Sequence, residues 1–445
     1  MSTTLSSNVG PTDISPTWFM SPPVADGDVA LPAWYTELRA QAWEEFTSLP
    51  DPVRKDEDWR FADLKKVRFA DFRLAEPVEN HEALVARSAA SYQKDYAARF
   101  VFANNRLIDS DTSALPDGLI CLPIEEAIVE HGDLVRKYLF EEAKTLGNEK
   151  FRALHRSASL SGLFVYAKSG VQMDKPIEVF HYAGGDQSAI FPHLLAISEG
   201  QSSVVIEESY ESINPGESTL SIGMTHLHAD EASQIQYATL QDLDDNGPKL
   251  VQLNSNRAGR DSQVKAAFVN LGAAWVRQES INRMLETGSD TRILGANLVN
   301  GIQEYDQRTL QVHEAQHTTS DLLFKNALYD EARAIFGGLI QVLPGSHHTD
   351  SYQTCRNLLG SDQAEANAMP GLEIDADQVK CSHGSTSGQI SDEEIFYLRA
   401  RGIPAEQARK MISIGFLNEA ISKLNDPGVK EHLIARVEKK FASLG

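Results

Sequence analysis

The chain has 445 residues, enough for two or three domains and a large buried core. Its 41 basic and 63 acidic residues give a net charge of −22, which argues against general binding to nucleic acid or to anionic lipid surfaces. There is no run of about 18 apolar residues and no secretory leader pattern, and only three cysteines occur, far apart, so the sequence predicts a cytoplasmic protein with reduced thiols and no membrane segment.

The first 155 residues are expected to form a mostly helical domain. Apolar residues recur at i, i+4 spacing from Trp34 to Phe46, which predicts a helix that stops before Pro50. Two further helices are expected, and Pro123 suits the first turn of the second one. The three predicted helices span residues 32–49, 82–96 and 123–140.

Two segments of this region differ from the helices. Residues 55–67 are rich in charge but carry aromatic anchors at Trp59 and Phe61. Residues 99–109 alternate apolar and polar side chains around an Asn-Asn pair, which predicts strand structure with a turn. The region is therefore expected to be mixed rather than purely helical.

Residues 156–388 are expected to form a β domain. Short alternating stretches, such as 162–167, 202–210 and 264–271, follow one another with Gly, Asn, Asp or Ser between them and without a helical period. A sandwich, a barrel and a parallel β-helix are all compatible with this pattern. Residues 245–247 give the one strong hairpin signal, and the scarcity of hairpins favours a solenoid in which each strand stacks on the next coil. The stretches show no strict residue-level repeat.

Residues 389–445 are expected to be helical. Ser391 and Glu394 have the spacing of a capping box, and Gly402 is placed to end the helix that they begin. Pro404 opens a second helix, which has a long apolar stripe. The stripe consists of Ala408, Met411, Ile412, Phe416, Ala420, Ile421 and Leu424.

A third helix is expected after the break at residues 426–428. Its apolar side chains lie at i+4 spacing; they are Val429, Leu433, Val437 and Phe441. Stripes of this length must be buried against something. They can pack on the β domain, or they can form a helical unit that binds a partner, and the residues alone leave both interpretations open.

Residues 313–317 read His-Glu-Ala-Gln-His, which is the spacing of a zinc-protease motif. That chemistry needs a helix, because only then do both His side chains reach one zinc ion. The flanking residues favour a strand instead, in which His313 and His317 would lie about 13 Å apart. We therefore expect two polar positions on a β face and no zinc protease.

Other short motifs are equally incomplete. Residues 242–247 begin like an EF-hand loop, but Leu253 stands where that loop needs a bidentate Glu, so a surface turn is expected. The chain has no GxxxxGK[ST], GxGxxG or GxSxG motif. Any energy from a nucleotide would therefore have to come from another subunit.

Cys381 and His383 lie two residues apart, shortly before the helical region. In a strand they would share one face at about 6.5–7 Å, and thiolate and imidazole are both ligands for zinc or iron–sulfur units. The pair cannot complete a four-ligand site, so a cluster here would need ligands from another chain. The alternative is a buried Cys381 beside a hydrogen-bonded turn residue, His383.

Two neighbouring features are expected to be structural. Cys355 is expected to lie in the core, and residues 347–348 are expected to form a solvated turn.

Three segments resemble the SufB/SufD family of iron–sulfur cluster assembly scaffolds, and within it the SufD type. Residues 55–64, KDEDWRFADL, are similar to the N-terminal signature of the family, and residues 161–179 are similar to the entry into its β domain. Residues 336–403, with Cys-Ser-His-Gly at 381–384, are similar to its most specific block. SufB-like chains carry a Glu-rich version of that motif instead.

The resemblance implies a right-handed parallel β-helix flanked by N-terminal and C-terminal helical domains, and so it selects the solenoid. It further implies a non-catalytic scaffold that pairs with a SufB-like subunit through the ends of the β-helix. The C-terminal helices are expected to dock a SufC-like ATPase of the ABC type. The candidate docking residues are Phe396, Tyr397, Arg401, Ile403, Met411, Ile412 and Phe416.

The same resemblance places His383, with Cys381, at the interface with the SufB-like subunit, as a candidate ligand of a nascent cluster. We expect no intrinsic cofactor and no stable metal in the isolated chain, only a transient iron–sulfur cluster shared with that partner. Two other functions stay open: a β-helix metalloenzyme or carbohydrate-active enzyme, and a structural protein that forms homodimers through the same surface.

Overall fold

A computed structural model describes residues 19, 21–23, 30–91, 95–139 and 146–444. The helices are α1 (Ala33–Ser48), α2 (His81–Ser91), α3 (Ile124–Glu130), α4 (Gly132–Tyr138), α5 (Glu149–Ala158), α6 (Asp392–Arg399), α7 (Ala405–Ile421) and α8 (Pro427–Ser443). The first strands are β1 (Arg73–Leu74), β2 (Ala98–Ala103), β3 (Arg106–Asp111), β4 (Leu119–Pro123), β5 (Ser161–Ala167), β6 (Ile177–Ala183), β7 (Ser188–Ile190), β8 (Pro192–Ser198), β9 (Ser203–Ser212) and β10 (Thr219–Ala229). The later strands are β11 (Gln234–Asp242), β12 (Lys249–Ala258), β13 (Gln263–Asn270), β14 (Trp275–Met284), β15 (Asp290–Val299), β16 (Glu304–His313), β17 (Thr319–Leu328), β18 (Arg333–Val342), β19 (Asp350–Leu359), β20 (Glu365–Ile374) and β21 (Lys380–Gln389).

The strands form two sheets, and from β8 onwards successive strands alternate between them. Sheet A has the order β20-β18-β16-β14-β12-β10-β8-β5-β4, and sheet B has the order β21-β19-β17-β15-β13-β11-β9-β6-β2-β3. The pairing is parallel and free of register shifts over long stretches; β16 pairs with β18 from Glu304–Arg333 to His313–Val342. Each coil therefore contributes one strand to each sheet, which confirms the parallel β-helix.

The coils turn through a column of residues with left-handed backbone conformation. These residues are Gln201, Ala232, Asp261, Gly288, His317, His348 and Gln378, and they recur about every 30 residues. Backbone hydrogen bonds join one turn to the next, for example from the His317 amide to the His347 carbonyl over 2.9 Å. Only one member of the column is glycine, so the coil length leaves no residue-level repeat in the sequence.

Antiparallel strands close the N-terminal end of both sheets. β3 ends sheet B and β4 ends sheet A. The predicted Asn-Asn turn is confirmed, because Asn104 and Asn105 have φ angles of 46° and 66° between β2 and β3. The hairpin signal at residues 245–247 is wrong, since β11 and β12, which flank it, lie in different sheets.

Three helix predictions need correction. The helix expected over 123–140 is broken at His131, which has non-helical angles and precedes the weak helix former Gly132. The helix expected over 82–96 ends at Ser91, and its continuation over 92–94, like residue 140, lies outside the described residues. The capping box is wrong, since the Ser391 side chain makes no capping hydrogen bond and an acidic first turn complements the dipole of α6 instead.

The segment 57–66, called the strap below, lies across the outer face of sheet A. Three arginines on adjacent strands of sheet A bind its carbonyl groups: Arg277 to Asp58 over 2.9 Å, Arg308 to Arg60 over 3.0 Å and Arg333 to Phe61 over 3.1 Å. Trp59 is buried, with the Arg277 guanidinium 4.1 Å from its ring centroid, so the predicted anchor is confirmed. Phe61 is not an anchor, because its ring is 39% exposed.

The C-terminal helices pack on the outer face of sheet B. Leu417, Ala420, Ile421 and Leu424 share one apolar cluster with sheet B residues and with Val429, Leu433, Val437 and Phe441 of α8. Polar contacts at i+4 spacing add to the packing of α8: a hydrogen bond of His432 with Glu207 at 2.5 Å, and ion pairs of Arg436 with Asp242 at 2.5 Å and of Lys440 with Asp245 at 2.6 Å. Met411 was expected in the buried stripe but is 46% exposed, because the face of α7 that meets the sheet passes through Leu417 instead.

In the described part of the chain, none of the helices is long and apolar enough to cross a membrane.

Candidate functional site

The C-terminal end of the solenoid is open. β20 pairs only with β18 and β21 pairs only with β19, so both last strands present an unpaired edge among the residues that the structure describes. Most residues of β21 are exposed and most of β20 are half-buried, whereas the strands of the middle coils are almost completely buried. An edge of this length is a template for pairing with another chain unless something covers it.

The strand register shows which side chains face the interior of this last coil. Ser351, Gln353, Cys355 and Asn357 are the buried inner positions of β19, and they pair in register with Cys381, His383, Ser385 and Ser387 of β21. In sheet A, the inner positions Phe336 and Ile340 of β18 lead in the same way to Ala368 and Leu372 of β20. The open end therefore has a polar wall on sheet B and an apolar wall on sheet A.

Cys381 and His383 both lie on the polar wall. The structure confirms the strand, so the two side chains share one face at about 6.5–7 Å. Cys381 is half-buried, and burial raises the pKa of its thiol, with a smaller contribution from the Asp350 carboxylate. The thiol is therefore protonated at neutral pH, and binding a metal would require it to lose that proton. His383 is exposed.

An asparagine ladder ties this end of the solenoid to the coils below it. Each side-chain amide donates to the next residue of the series: Asn270 to Asn297 over 2.7 Å, Asn297 to Asn326 over 2.8 Å, Asn326 to Asn357 over 2.8 Å and Asn357 to Ser387 over 3.1 Å. The ladder joins β21 to the core through a part-buried hydrogen bond and supports its register. Sequence reasoning missed it, although the spacing of these residues follows the length of one coil.

The other two cysteines are core residues. Cys355 is fully buried, as expected, and burial raises its thiol pKa to about 12. It pairs in register with Ser385, four residues along the strand from Cys381, and this places the two thiols about 13 Å apart. Cys121 is also buried, and burial raises its pKa. Only Cys381 is placed to meet a ligand from outside.

The zinc-protease motif is not formed. His313 ends β16 and is fully buried, with its ring nitrogens bonded to the hydroxyls of Thr318 at 2.7 Å and Ser320 at 3.0 Å. His317 lies in the following turn, not on a β face as expected, and its ring stacks on His348 at 4.6 Å. The turn at 347–348 is confirmed. Within the described residues, no group of three or more His, Cys, Asp and Glu side chains could hold a metal ion.

The buried His313 gives a prediction about acid stability. Burial lowers its pKa to about 3, below the value of about 6.5 expected in the unfolded chain, so below pH 6.5 the unfolded state binds the proton first. Between pH 7.5 and 5 the wild-type protein should therefore lose about 2 kcal/mol more unfolding free energy than His313→Gln. Urea unfolding at both pH values measures this difference, and equal losses in the two proteins would contradict the assignment.

The acidic turn at residues 242–247 is a surface turn, as expected. Asp242 and Asp245 are paired with the α8 cations Arg436 and Lys440. Asp244 accepts a hydrogen bond from the Asn246 amide within the turn. These carboxylates hold the C-terminal helix in place.

A second exposed surface lies on α6 and α7. Phe396 and Tyr397 are 71% and 56% exposed, and the Arg401 guanidinium lies 3.5 Å from the Tyr397 ring centroid. Met411 of α7 is also exposed, whereas Ile403, Ile412 and Phe416 are half-buried. The Phe416 ring lies 4.3 Å from the Lys325 ammonium of sheet B, so it belongs to the seam between helix and sheet. The predicted docking residues thus divide into an exposed group around Phe396 and a partly packed group around Phe416.

The sequence resembles known assembly proteins over most of its length. Residues 180–416 match the family described as "SUF system FeS cluster assembly, SufBD core domain", and residues 31–179 match "SufBD protein N-terminal region". The chain is 27% identical over 419 residues to the iron–sulfur cluster assembly protein SufD of Bacillus subtilis, covering 92% of this chain and 94% of that protein. It is 28% identical over 396 residues to SufD of Escherichia coli, covering 88% of this chain and 89% of that protein. The chain therefore belongs to the SufBD family of the SUF iron–sulfur cluster assembly system.

Proposed function

We propose that this chain is a SufD-type, non-catalytic scaffold subunit, which pairs with a SufB-like subunit at the open end of the solenoid and docks a SufC-like ATPase on its C-terminal helices. The observation that carries the proposal is the open last coil, where two unpaired strand edges flank Cys381 and His383. The similarity to proteins named SufD supports the same role.

The chemistry of the open end suits a shared site. One thiol and one imidazole are soft ligands, but an iron–sulfur cluster is commonly held by four such groups. In this coil β21 contributes only Cys381 and His383 of that kind, and its other inner positions are serines. A partner that covers the edge would supply the missing ligands, so the cluster is a transient cargo held between two chains. The role of this chain is then to position ligands rather than to catalyse a reaction.

The ATPase is assigned to another subunit because the sequence has no nucleotide-binding loop of its own. The exposed group on α6 and α7 is the surface that suits its docking. Phe396 and Tyr397 are large aromatic side chains, and most of their surface is exposed in the described chain. Aromatic residues often contribute most of the binding energy at protein interfaces. α7 packs on β15 and β17, and α6 packs on α7.

His383→Ala is the test of the shared site. We expect it to lower the cluster content of the complex with the SufB-like and SufC-like subunits at least about tenfold, because the loss of one ligand weakens a site of few ligands. The readout is iron and sulfide content, together with visible absorbance, after anaerobic reconstitution of the purified complex.

His348→Ala is the matched control for this experiment. His348 is also an exposed histidine, but it lies in the turn column and stacks on His317. It should leave the cluster content unchanged. If the His383→Ala complex assembles as much cluster as the wild-type complex, His383 is not a cluster ligand. That result would not contradict the pairing of the two subunits.

A further inference from the structure

The strap has a turning point close to the open end of the solenoid. Its carbonyl groups at residues 58, 60 and 61 are bound in turn by arginines of β14, β16 and β18, so the strap advances one strand at a time towards the last coil. It then turns back, since the Asp63 amide donates to Glu304 of β16 over 2.9 Å and the Lys66 ammonium donates to the Ile302 carbonyl over 2.9 Å. Phe61 is therefore the apex of the strap.

The apex residue, Phe61, has a backbone conformation that is unusual for a bulky side chain. Phe61 has a φ of 72°, a region that favours glycine and costs a bulky residue about 1 kcal/mol or more. Residues keep such a conformation where the surrounding structure and a function require it. Phe61 is only partly buried in its own chain, because 39% of the residue is exposed, unlike the neighbouring Trp59, which is buried.

The apex also lies next to the unpaired strand of sheet A. Arg333, which binds the Phe61 carbonyl, also pairs with Glu365 of β20 at 3.3 Å. The backbone of Phe61 is thus held over β18, one strand away from β20. The Arg60 guanidinium lies 5.2 Å from the ring centroid, so the apolar surface has a basic neighbour in a chain of net charge −22.

We propose that Phe61 is a contact residue for the subunit that covers the open end. The geometry fits a second β-solenoid, whose edge strand would meet β20. Its surface would offer Phe61 an apolar pocket bordered by carboxylates, which suit the neighbouring Arg60. The inference rests on the proposed pairing with a SufB-like subunit and adds the N-terminal strap to that interface. The occupant is identified by continuity, because a chain seated on the free edge of β20 reaches the apex of the strap.

Phe61→Gly tests the proposal with little net effect on the fold, since glycine accepts a positive φ freely and this relief offsets the loss of the partly buried side chain. The variant should unfold close to the wild-type temperature, and its affinity for the purified SufB-like subunit should fall about tenfold or more. Phe61→Leu keeps an apolar side chain and should lose less affinity. Val129→Ala, which truncates an exposed apolar residue of α3, should bind as the wild-type protein does.

The outcomes separate this inference from the proposed function. If the wild-type full-length chain does not bind the SufB-like subunit in isothermal titration calorimetry, the pairing itself is wrong. If it binds and Phe61→Gly binds within about twofold of it, only the contact is wrong. A fall of several degrees in the unfolding temperature of Phe61→Gly would assign the ring to folding and overturn the proposal. A change confined to self-association, measured by sedimentation, would make a second copy of this chain the occupant and would overturn it as well.

Discussion

Arg277→Met is expected to destabilise the protein by about 3–5 kcal/mol, among the largest effects of any single substitution in this chain. Arg277 is fully buried and is bonded to Glu279 over 2.6 Å and to Asp306 over 2.5 Å. Its removal leaves the buried Glu279 carboxylate without its arginine partner, whereas Asp306 keeps its ion pair with Arg308 at 2.7 Å. It also frees the strap at the Asp58 carbonyl. Burial raises the pKa of Glu279 to about 7 even though Arg277 acts to lower it, so loss of the guanidinium would raise it further. Thermal and urea unfolding measure the loss.

Arg260→Met is the matched control for this variant. Arg260 pairs with Glu286 at 3.6 Å, but both side chains are about half exposed, and a surface ion pair contributes less than about 1 kcal/mol. The double variant Arg277→Met, Glu279→Gln should recover part of the lost stability, because it removes the uncompensated charge and leaves the ion pair of Asp306 with Arg308 in place. An Arg277→Met protein within about 1 kcal/mol of the wild type would show that the network does not support the fold.

The double variant Phe396→Ala, Tyr397→Ala is expected to weaken binding to the SufC-like ATPase about 100-fold or more, since two adjacent aromatic anchors can each contribute about 2 kcal/mol at an interface. Stability should change little, because both side chains are mostly exposed and are not part of the apolar cluster between the helices and sheet B. Calorimetry or surface plasmon resonance with the purified ATPase gives the affinity, and thermal unfolding tests the fold.

Point variants suit this surface better than truncation before α6. Deleting the C-terminal helices would uncover the sheet B residues that Leu433 and Val437 bury. A control that truncates two exposed apolar residues outside this surface is Val53→Ala, Val129→Ala, at two positions of the N-terminal region. Binding of the aromatic double variant within about threefold of the wild type would assign the docking of the ATPase to another surface.

The sequence predicts the strands and the architecture well because each strand keeps its own alternation of side chains. The stretch at 264–271 and the one at 202–210 both become strands of sheet B. The coil length is harder to read, because the turn column accepts Gln, Ala, Asp, Gly and His alike as long as the backbone adopts a positive φ. The scarcity of hairpins favours a solenoid, and the resemblance to a known family then selects it over a sandwich or a barrel.

The sites are less predictable, because they depend on which face of an element stays uncovered. Phe61 and Trp59 are both aromatic residues in one charged segment, yet one is exposed and the other buried. The reason is a positive φ at Phe61, which no local pattern announces. Met411 likewise suits an apolar stripe by spacing, but the rotation of α7 on sheet B turns it to the outside. Cys381 and His383 were predictable as a pair because a strand fixes the faces of its residues.

The connection between the last strand and the first C-terminal helix is very short. β21 ends at Gln389 and α6 begins at Asp392, so only Ile390 and Ser391 connect them, and two residues span at most about 7 Å. Ile390 is itself buried, which shortens the free length further. Among the strands that the structure describes, β21 is paired along one edge only, whereas α7 rests on strands that are paired on both sides. A force that displaces α6 would therefore act first on β21, the strand that carries Cys381 and His383, and would separate it from β19 before it disturbed the inner coils.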